Sequence, residues 1–252
     1  MAQRVDSRLV LAKSLALKAG KLIVKLRKNK IEKQIKKDKS IVTIGDKQAD
    51  VLLKTAIRKK FPDDGIVSEE SAEVKGNSGF TWILDPVDGT TNYYRNISHY
   101  CVSIGILKNG KLFAGVINNP VKKDLFYAQK GKGSFQNGKK IIVSKHSELI
   151  NSLIVLDRSH SKSSRIKAAR FYAKLAPPVV TIRILGSTAL DLCMLAAGKA
   201  EAVISIEDSR WDTAAGEIIV SEAGGNKYML NKDVALYCNN SRIATILARQ
   251  LR

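Results

Sequence analysis

The sequence predicts an α+β half followed by an α/β half, and three patterns carry that prediction. Two amphipathic helical stretches open the chain. Short apolar runs then follow one another through Asn-Gly turns, the mark of antiparallel pairing. Beyond residue 150, apolar runs alternate with helical stretches, which indicates an α/β layer. A chain of 252 residues can bury a full core, as one large domain or two intimate halves. The halves meet near residues 144–151 without a flexible linker. This gives an N-terminal subdomain over 1–146 and a C-terminal one over 147–252.

Val5, Leu9, Ala12, Ala16, Ala19, Ile23 and Leu26 recur at alternating spacings of four and three, one face of a long helix ending near Arg27-Lys28-Asn29. Residues 31–43 are polar, anchored by Ile31, Ile35, Ile41 and Val42, and read as a short strand and a mobile loop. A second helix runs from Asp46 to about Lys60. Its buried stripe is Ala49, Leu52, Leu53, Ala56 and Ile57, and Phe61-Pro62-Asp63-Asp64-Gly65 stops it. Ile66-Val67 and Trp82-Ile83-Leu84 are short strands that run into acids. The break at Asp85-Pro86 sets Asp85 and Asp88 beyond the strand end. Cys101–Leu107 and Leu112–Asn118 form a hairpin about Asn109-Gly110. Leu125–Gln129 and Gly133–Val143 continue the pairing, with a turn at Asn137-Gly138.

In the second half, Ser152–Leu156 is a strand, Ser164–Leu175 a helix and Pro177-Pro178 a break. Val179–Leu185 is a strand, Ala189–Ala197 a helix opened by Gly186-Ser187-Thr188, and Ala202–Ile206 a strand. Asp212–Ala223 is a helix closed by Gly224-Gly225.

Hydrophobic and charged fractions of 44% and 26% are those of an ordinary soluble globular protein. No stretch is apolar enough to span a bilayer, and no apolar core follows Met1–Asp6 to make a signal peptide. Cys101, Cys193 and Cys238 sit in apolar surroundings and read as reduced core thiols of a cytoplasmic protein. No Cys/His cluster has zinc spacing. The net charge of +20 is concentrated between Lys21 and Lys39, at Lys139-Lys140 and across 161–174. Such a field attracts anions of any kind. A solvated surface is the simplest reading of it, because the basic segments lack interleaved aromatics. Nucleic acid stays open as a partner.

Asp85 and Asp88 stand three residues apart after an apolar strand, beside Gly89, Thr90 and Thr91. Open α/β sheets place ligands at the carboxyl ends of strands. Hard divalent cations want oxygen ligands, and a two-metal site needs carboxylates converging from separate segments. Glu69-Glu70 and Asp212 supply two further segments. Taken singly, each has another reading: a solvated loop for Glu69-Glu70, an Asx-turn for Asp85/Asp88, a helix cap for Asp212. Together they point to metal and phosphate. Gly186-Ser187-Thr188 is a second helix start free of bulk, and either faces the same cleft or is an ordinary turn with a Ser cap.

Asp85-Pro86-Val87-Asp88-Gly89-Thr90-Thr91-Asn92, and Trp211-Asp212-Thr213-Ala214-Ala215-Gly216 running into Glu222-Ala223-Gly224-Gly225, resemble the two signatures of the inositol monophosphatase family. Ser68-Glu69-Glu70-Ser71, Val42–Asp46 and Gly131-Lys132-Gly133 before Asn137-Gly138 are similar landmarks, and the resemblance covers nearly the whole chain. It implies a layered αβαβα sugar-phosphatase fold and Mg²⁺-dependent, lithium-sensitive hydrolysis of small phosphate esters by a homodimer, with two or three Mg²⁺ per site. It implies that Glu69, Asp85 and the Val87 carbonyl hold the first metal, and Asp85, Asp88 and Asp212 the second. Glu69 also serves a weaker third position. Thr90 orients the attacking water, supported by Asp46. Gly89 and Thr90 N–H groups bind phosphate, and Thr188 contacts substrate through its backbone. The loop with Lys36 and Asp38 closes over the metals.

Inositol-preferring members often carry a glutamate seven residues before the equivalent of Asp212; here that position is Ser205. Glu207 and Asp208 lie near it, in a direction that strand alternation leaves open. Relatives acting on nucleotide 3′-phosphates usually have Lys-Glu where this chain has Thr91-Asn92. Inositol 1-phosphate is the expected substrate. Fructose 1,6-bisphosphate, histidinol phosphate or a broad range of sugar phosphates are alternatives; Arg183 and Arg210 either meet a second phosphate or are ordinary surface arginines, which look the same in sequence. A basic adaptor that binds nucleic acid or a nucleoprotein on the same fold is the alternative of another class.

Overall fold

The structure is a computed structural model that describes residues 6–28, 31–36 and 40–251. Val5, Asn29 and Asp38, drawn on above, lie outside the described residues.

Helix α1 (Ser7–Arg27) begins at Asp6, whose carboxylate accepts from Arg8 N. It buries Leu9, Ala12, Ala16, Ala19 and Ile23, the expected face, while Leu26 is only half-buried. A small hairpin, β1 (Lys33–Ile35) and β2 (Ile41–Thr43), leads into α2 (Ile44–Lys60). Thr43 caps α2 and Asp46 closes a capping box on Thr43, so this helix starts two residues before the expected Asp46.

Seven strands follow: β3 (Gly65–Ser68), β4 (Phe80–Asp88), β5 (Cys101–Lys108), β6 (Lys111–Asn119), β7 (Asp124–Gln129), β8 (Ser134–Gln136) and β9 (Lys139–Ile141). They lie side by side in sequence order, antiparallel except for the β3–β4 pair. A short helix, α3 (Thr90–Arg95), leaves the end of β4. Asn109-Gly110 and Asn137-Gly138 carry positive φ at both positions, as two-residue hairpin turns require.

The expected break at Asp85-Pro86 is not there. Strand β4 continues to Asp88 through a bulge: Asp85 pairs with Ser103 and Asp88 with Cys101. Proline donates nothing to a ladder, so a strand that holds one accommodates it at a bulge. The consequence is that both aspartates are fixed by sheet geometry rather than carried on a loop.

After a crossing segment come β10 (Leu153–Arg158), α4 (Lys162–Leu175), β11 (Thr181–Arg183), α5 (Thr188–Ala196), β12 (Ala202–Ile206) and α6 (Arg210–Glu222). Strand β11 is shorter than the expected Val179–Leu185, confined between Pro177-Pro178 and Gly186. The chain then adds a hairpin, β13 (Asn226–Asn231) with β14 (Val234–Cys238), and α7 (Ser241–Leu251), all absent from the sequence reading. The second sheet runs β11-β10-β12-β14-β13. Its first three strands are parallel, and β14 joins β12 antiparallel, so the layer is mixed.

Helices α1 and α2 cover one face of the larger sheet, with Leu53, Trp82, Ile104 and Val116 in that core. Helices α5 and α6 fill the space between the sheets, where Leu192, Ile219, Ile117 and Val203 meet. The outer face of the smaller sheet is covered by α4 and α7, through Phe171, Leu175, Ile243 and Leu247 against Ile204 and Leu236. The result is five layers, αβαβα. Gly105 and Gly115 let α6 approach the larger sheet closely, since a Cβ at either would meet its backbone or Ala214 within 3 Å. Among the described residues no helix is long and apolar enough to cross a membrane.

Candidate active site

The carboxyl ends of β3, β4, β10 and β12 and the first turns of α5 and α6 surround a cleft of about 390 Å³. Asp85, Asp88 and Asp212 stand at its base, each offering a carboxylate oxygen, and these oxygens lie within 4.8 Å of one another. One oxygen of each carboxylate is anchored. Asp85 Oδ1 accepts from Val87 N at 3.0 Å, and Asp212 Oδ2 from Ser209 N at 2.7 Å. Asp88 Oδ2 accepts from Ser187 Oγ at 2.5 Å and Ala189 N at 2.9 Å. The Asx-turn and helix-cap readings are thus true of the same residues that converge here, because a carboxylate has two oxygens.

Burial pushes all three carboxyls up, Asp88 to about 7 and Asp85 and Asp212 well above their ordinary range; neighbouring negative charge adds to this. Buried like charges that close together repel, and a divalent cation between them removes the cost. A cluster of oxygen ligands without sulfur or nitrogen suits a hard cation of the Mg²⁺ kind. The residues fit a metal.

Glu69 stands beside this trio. Its N–H donates to Leu84 O at 3.2 Å, tying the end of β3 to β4, and its side chain lines the cleft. Lys36 Nζ bridges it, at 2.8 Å from Glu69 Oε1 and 2.6 Å from Glu70 Oε1. Burial works against the Lys36 ammonium, but the two glutamates outweigh it and hold its pKa up. Burial pushes Glu70 up to about 7 despite its bond to Lys36.

Thr90 Oγ1 lies 3.1 Å from Asp46 Oδ1 and 3.0 Å from Val87 O, and can donate to either. Asp46 is fixed in turn by Thr43 N and Thr43 Oγ1 on its Oδ2, at 2.8 and 2.5 Å. Burial raises Asp46 to about 6, opposed by those hydrogen bonds. Gly89 has φ +86°, and a Cβ there would come within 3.1 Å of His99 O and Gly186 O, so only glycine lets the three segments meet. Asn92 completes the junction: its Nδ2 donates to His99 O at 2.8 Å and Leu185 O at 2.7 Å, joining the two halves of the chain.

Gly186 and Thr188 line the cleft, whereas Ser187 is buried and turned onto Asp88. Arg183 and Arg210 do not line it; the Arg183 guanidinium folds back onto Thr181 and the Ile182 carbonyl. The cleft is also lined by residues without a role in the sequence analysis: Asp157, Arg158, Ser159 and His160, at and just beyond the end of β10. Their signal was available, since Leu156-Asp157 repeats the strand-end pattern of Leu84-Asp85. Asp208 also lines the cleft, and its direction is now explained. Glu207 adopts φ +58°, a left-handed conformation that interrupts strand alternation after β12.

The comparisons agree with this architecture. The family model "Inositol monophosphatase family" matches residues 4–249. Nus factor SuhB of Pasteurella multocida is 34% identical over 83% of this chain and 80% of its own length. Inositol monophosphatase 1 of Bos taurus is 34% identical over 85% of this chain and 80% of its own. The crystal structure of extragenic suppressor protein suhB from Bartonella henselae superposes with TM-score 0.93 at 30% identity, covering 98% of this chain and 99% of that one. The chain belongs to the inositol monophosphatase family, whose fold and phosphoric monoester hydrolase class it shares.

Proposed function

We propose that this chain hydrolyses a small phosphate monoester with Mg²⁺ as cofactor, and that inositol 1-phosphate is its leading substrate. The convergence of Asp85, Asp88 and Asp212 within 4.8 Å, at the base of a cleft that also holds Glu69 and Thr90, carries this reading. Asp85, Asp88 and Asp212 would hold one cation, and Glu69, Asp85 and the Val87 carbonyl another, with a weaker third at Glu69. Bound Mg²⁺ supplies positive charge for the phosphate and the departing alkoxide and acidifies a water.

The chain's own groups position the rest. When Thr90 Oγ1 donates to Asp46, its lone pairs would accept a hydrogen bond from the attacking water and orient it. That leaves the water's own lone pair directed at phosphorus. The N–H groups of Gly89 and Thr90 would receive phosphate oxygens, where glycine allows close approach. Thr188 would meet the leaving group with its backbone. A homodimer belongs to the same proposal by resemblance, and the three buried free cysteines support a cytoplasmic location.

The test is phosphate release from a panel of monoesters with Mg²⁺, with and without Li⁺. Lithium-inhibited release that disappears in Asp85→Asn is the expected result; release at normal turnover by Asp85→Asn at saturating Mg²⁺ defeats the site assignment. A second reading, a nucleic-acid or nucleoprotein adaptor, is favoured by the net charge of +20 and by the relative named as a Nus factor. Salt-sensitive RNA binding that survives Asp85→Asn would support it.

A further inference from the structure

We infer that Asp208, together with Asp157, selects the leaving group: the two carboxylates accept hydrogen bonds from hydroxyls of a neutral polyol and disfavour an ester with a second phosphate. The inference rests on the phosphatase reading above.

Both carboxylates line the same cleft as the metal-type cluster, close enough that Asp157 bears on Asp88 and Asp208 on Asp212. Thr188 Oγ1 is shared between them, bonded to Asp157 Oδ2 and 3.5 Å from Asp208 Oδ2. Ser205 Oγ donates to Asp208 Oδ2 at 2.6 Å, and Arg158 N donates to Asp157 Oδ1 at 2.8 Å. Among the described residues, no lysine or arginine forms an ion pair with either carboxylate. Glu207, which shares the cleft, is engaged elsewhere by Ser161, Ser163 and Lys167.

Carboxylates in an interior are costly unless donors satisfy their lone pairs. The chain's own donors reach both oxygens of Asp157, but their recorded bonds to Asp208 reach one oxygen only. The recorded bonds to Asp208 fall on Oδ2, and the cleft lies beside the carboxylate. Burial pushes Asp157 up and Asp208 well above its ordinary range. A hydroxyl donor favours the ionised form, which accepts and never donates, so the matching ligand is a donor. Vicinal hydroxyls present several donors side by side. A phosphate dianion presents acceptors and negative charge, and meets repulsion instead. Arg158 and His160 also line the cleft, and their charges favour ionised Asp157; the Arg158 guanidinium is held by Ser159 O at 3.1 Å.

Ser205 explains the departure from the family pattern. It is buried in β12, is not part of the cleft wall, and acts as a prop under Asp208. Where inositol-preferring members often carry a glutamate, this chain has Ser205, and a carboxylate stands three residues later, beyond the left-handed Glu207.

The experiment compares kcat/KM with Mg²⁺ for inositol 1-phosphate, histidinol phosphate, fructose 1,6-bisphosphate and 4-nitrophenyl phosphate, which has no hydroxyl donors on its ring. Asp208→Asn should lower kcat/KM on inositol 1-phosphate roughly 10–100-fold, mostly through KM, which is the scale of one hydrogen bond to a charged group. The loss on 4-nitrophenyl phosphate should be several-fold smaller, and discrimination against the bisphosphate should narrow. Free myo-inositol should inhibit the wild type competitively and Asp208→Asn more weakly. Should Asp208→Asn fail to fold, Ser205→Ala keeps the carboxylate, removes its prop, and should move the same ratio in the same direction. Equal losses on inositol 1-phosphate and 4-nitrophenyl phosphate, or a wild-type preference for the bisphosphate or for amino-bearing histidinol phosphate, would overturn the inference while leaving the phosphatase reading intact. A wild type that releases phosphate from no ester would overturn both.

Discussion

Both sheets send carboxylates into the cleft from their strand ends, and they arrange them in opposite ways. At the end of β4, Asp85 and Asp88 converge with Asp212 until their oxygens lie within 4.8 Å. At the ends of β10 and β12, Asp157 and Asp208 are spaced by the Thr188 hydroxyl and propped by Ser205. Converging carboxylates need something positive between them. Burial pushes Asp157 and Asp208 up as well, but hydroxyls hold them and the recorded bonds leave Asp208 an oxygen for a ligand. On the proposed function, the larger sheet with α6 builds the chemistry, and the smaller sheet builds recognition of what the phosphate is attached to.

Substitution on the converging side should have the largest effect. Asp85→Asn removes a charge at the centre of the cluster, and phosphate release at saturating Mg²⁺ should fall at least ~10³-fold, or about 4 kcal/mol of transition-state stabilisation. A loss as small as that of Asp208→Asn would erase the distinction between the two arrangements. Metal withdrawal comes next. If Mg²⁺ binds the folded state alone, a concentration 100 times its Kd stabilises by about 2.7 kcal/mol. For a chain of this length that is roughly 5–10 °C in Tm. Thermal melts with Mg²⁺ and with chelator should show this shift in the wild type and lose most of it in Asp85→Asn, while Asp208→Asn keeps it.

The neighbouring glutamates give a finer test of the same boundary. Glu69 lines the cleft, whereas Glu70 is turned toward Lys36 and does not. Glu69→Gln should cost activity about tenfold more than Glu70→Gln, as read from kcat at saturating Mg²⁺. Equal losses would mean that the Lys36 bridge, common to both, is what matters.

Local patterns were legible in the sequence where a short-range rule fixes them. Strand β12 and the two Asn-Gly hairpins follow from apolar runs and from the positive φ that those turns demand. The end of β4 was misjudged because Pro86 signals a break, and only the neighbouring strand β5 makes a bulge the better solution. The C-terminal hairpin and α7 were overlooked although their signals are present: the apolar run Val234–Cys238, and Ile243, Ala244, Leu247 and Leu251 at helical spacing. The same split holds in the cleft. Asp85, Asp88, Thr90 and Asp212 sit in long motifs and were legible. Asp157 shares only the short strand-end pattern Leu-Asp with Asp85 and has no long motif around it, and the aim of Asp208 depends on one backbone torsion at Glu207 that no periodicity encodes.

A third arrangement of a carboxylate supplies the smallest and most diagnostic effect, since here the fold provides the cation itself. Asp64, 1% exposed, accepts from Arg8 Nε at 2.8 Å and Arg8 Nη2 at 2.9 Å, from Ser78 Oγ at 2.6 Å and from Trp82 Nε1 at 2.8 Å. Burial alone would raise its pKa, but the bonds from Arg8, Ser78 and Trp82 outweigh burial and hold it below the ordinary range. The sign is therefore opposite to that of the metal-type cluster. A carboxyl depressed in the folded state contributes stability that is present above its unfolded value of 3.8, and that is lost as pH falls through the folded value. Between pH 5 and pH 2, in the presence of chelator, the wild-type Tm should fall more steeply than that of Asp64→Asn, by a few degrees, because the variant has no proton to take up at this site. Parallel profiles would mean that Asp64 owes its ionisation to exposure rather than to Arg8, and that the larger sheet does not distinguish a carboxylate it neutralises from the three it leaves for a cation.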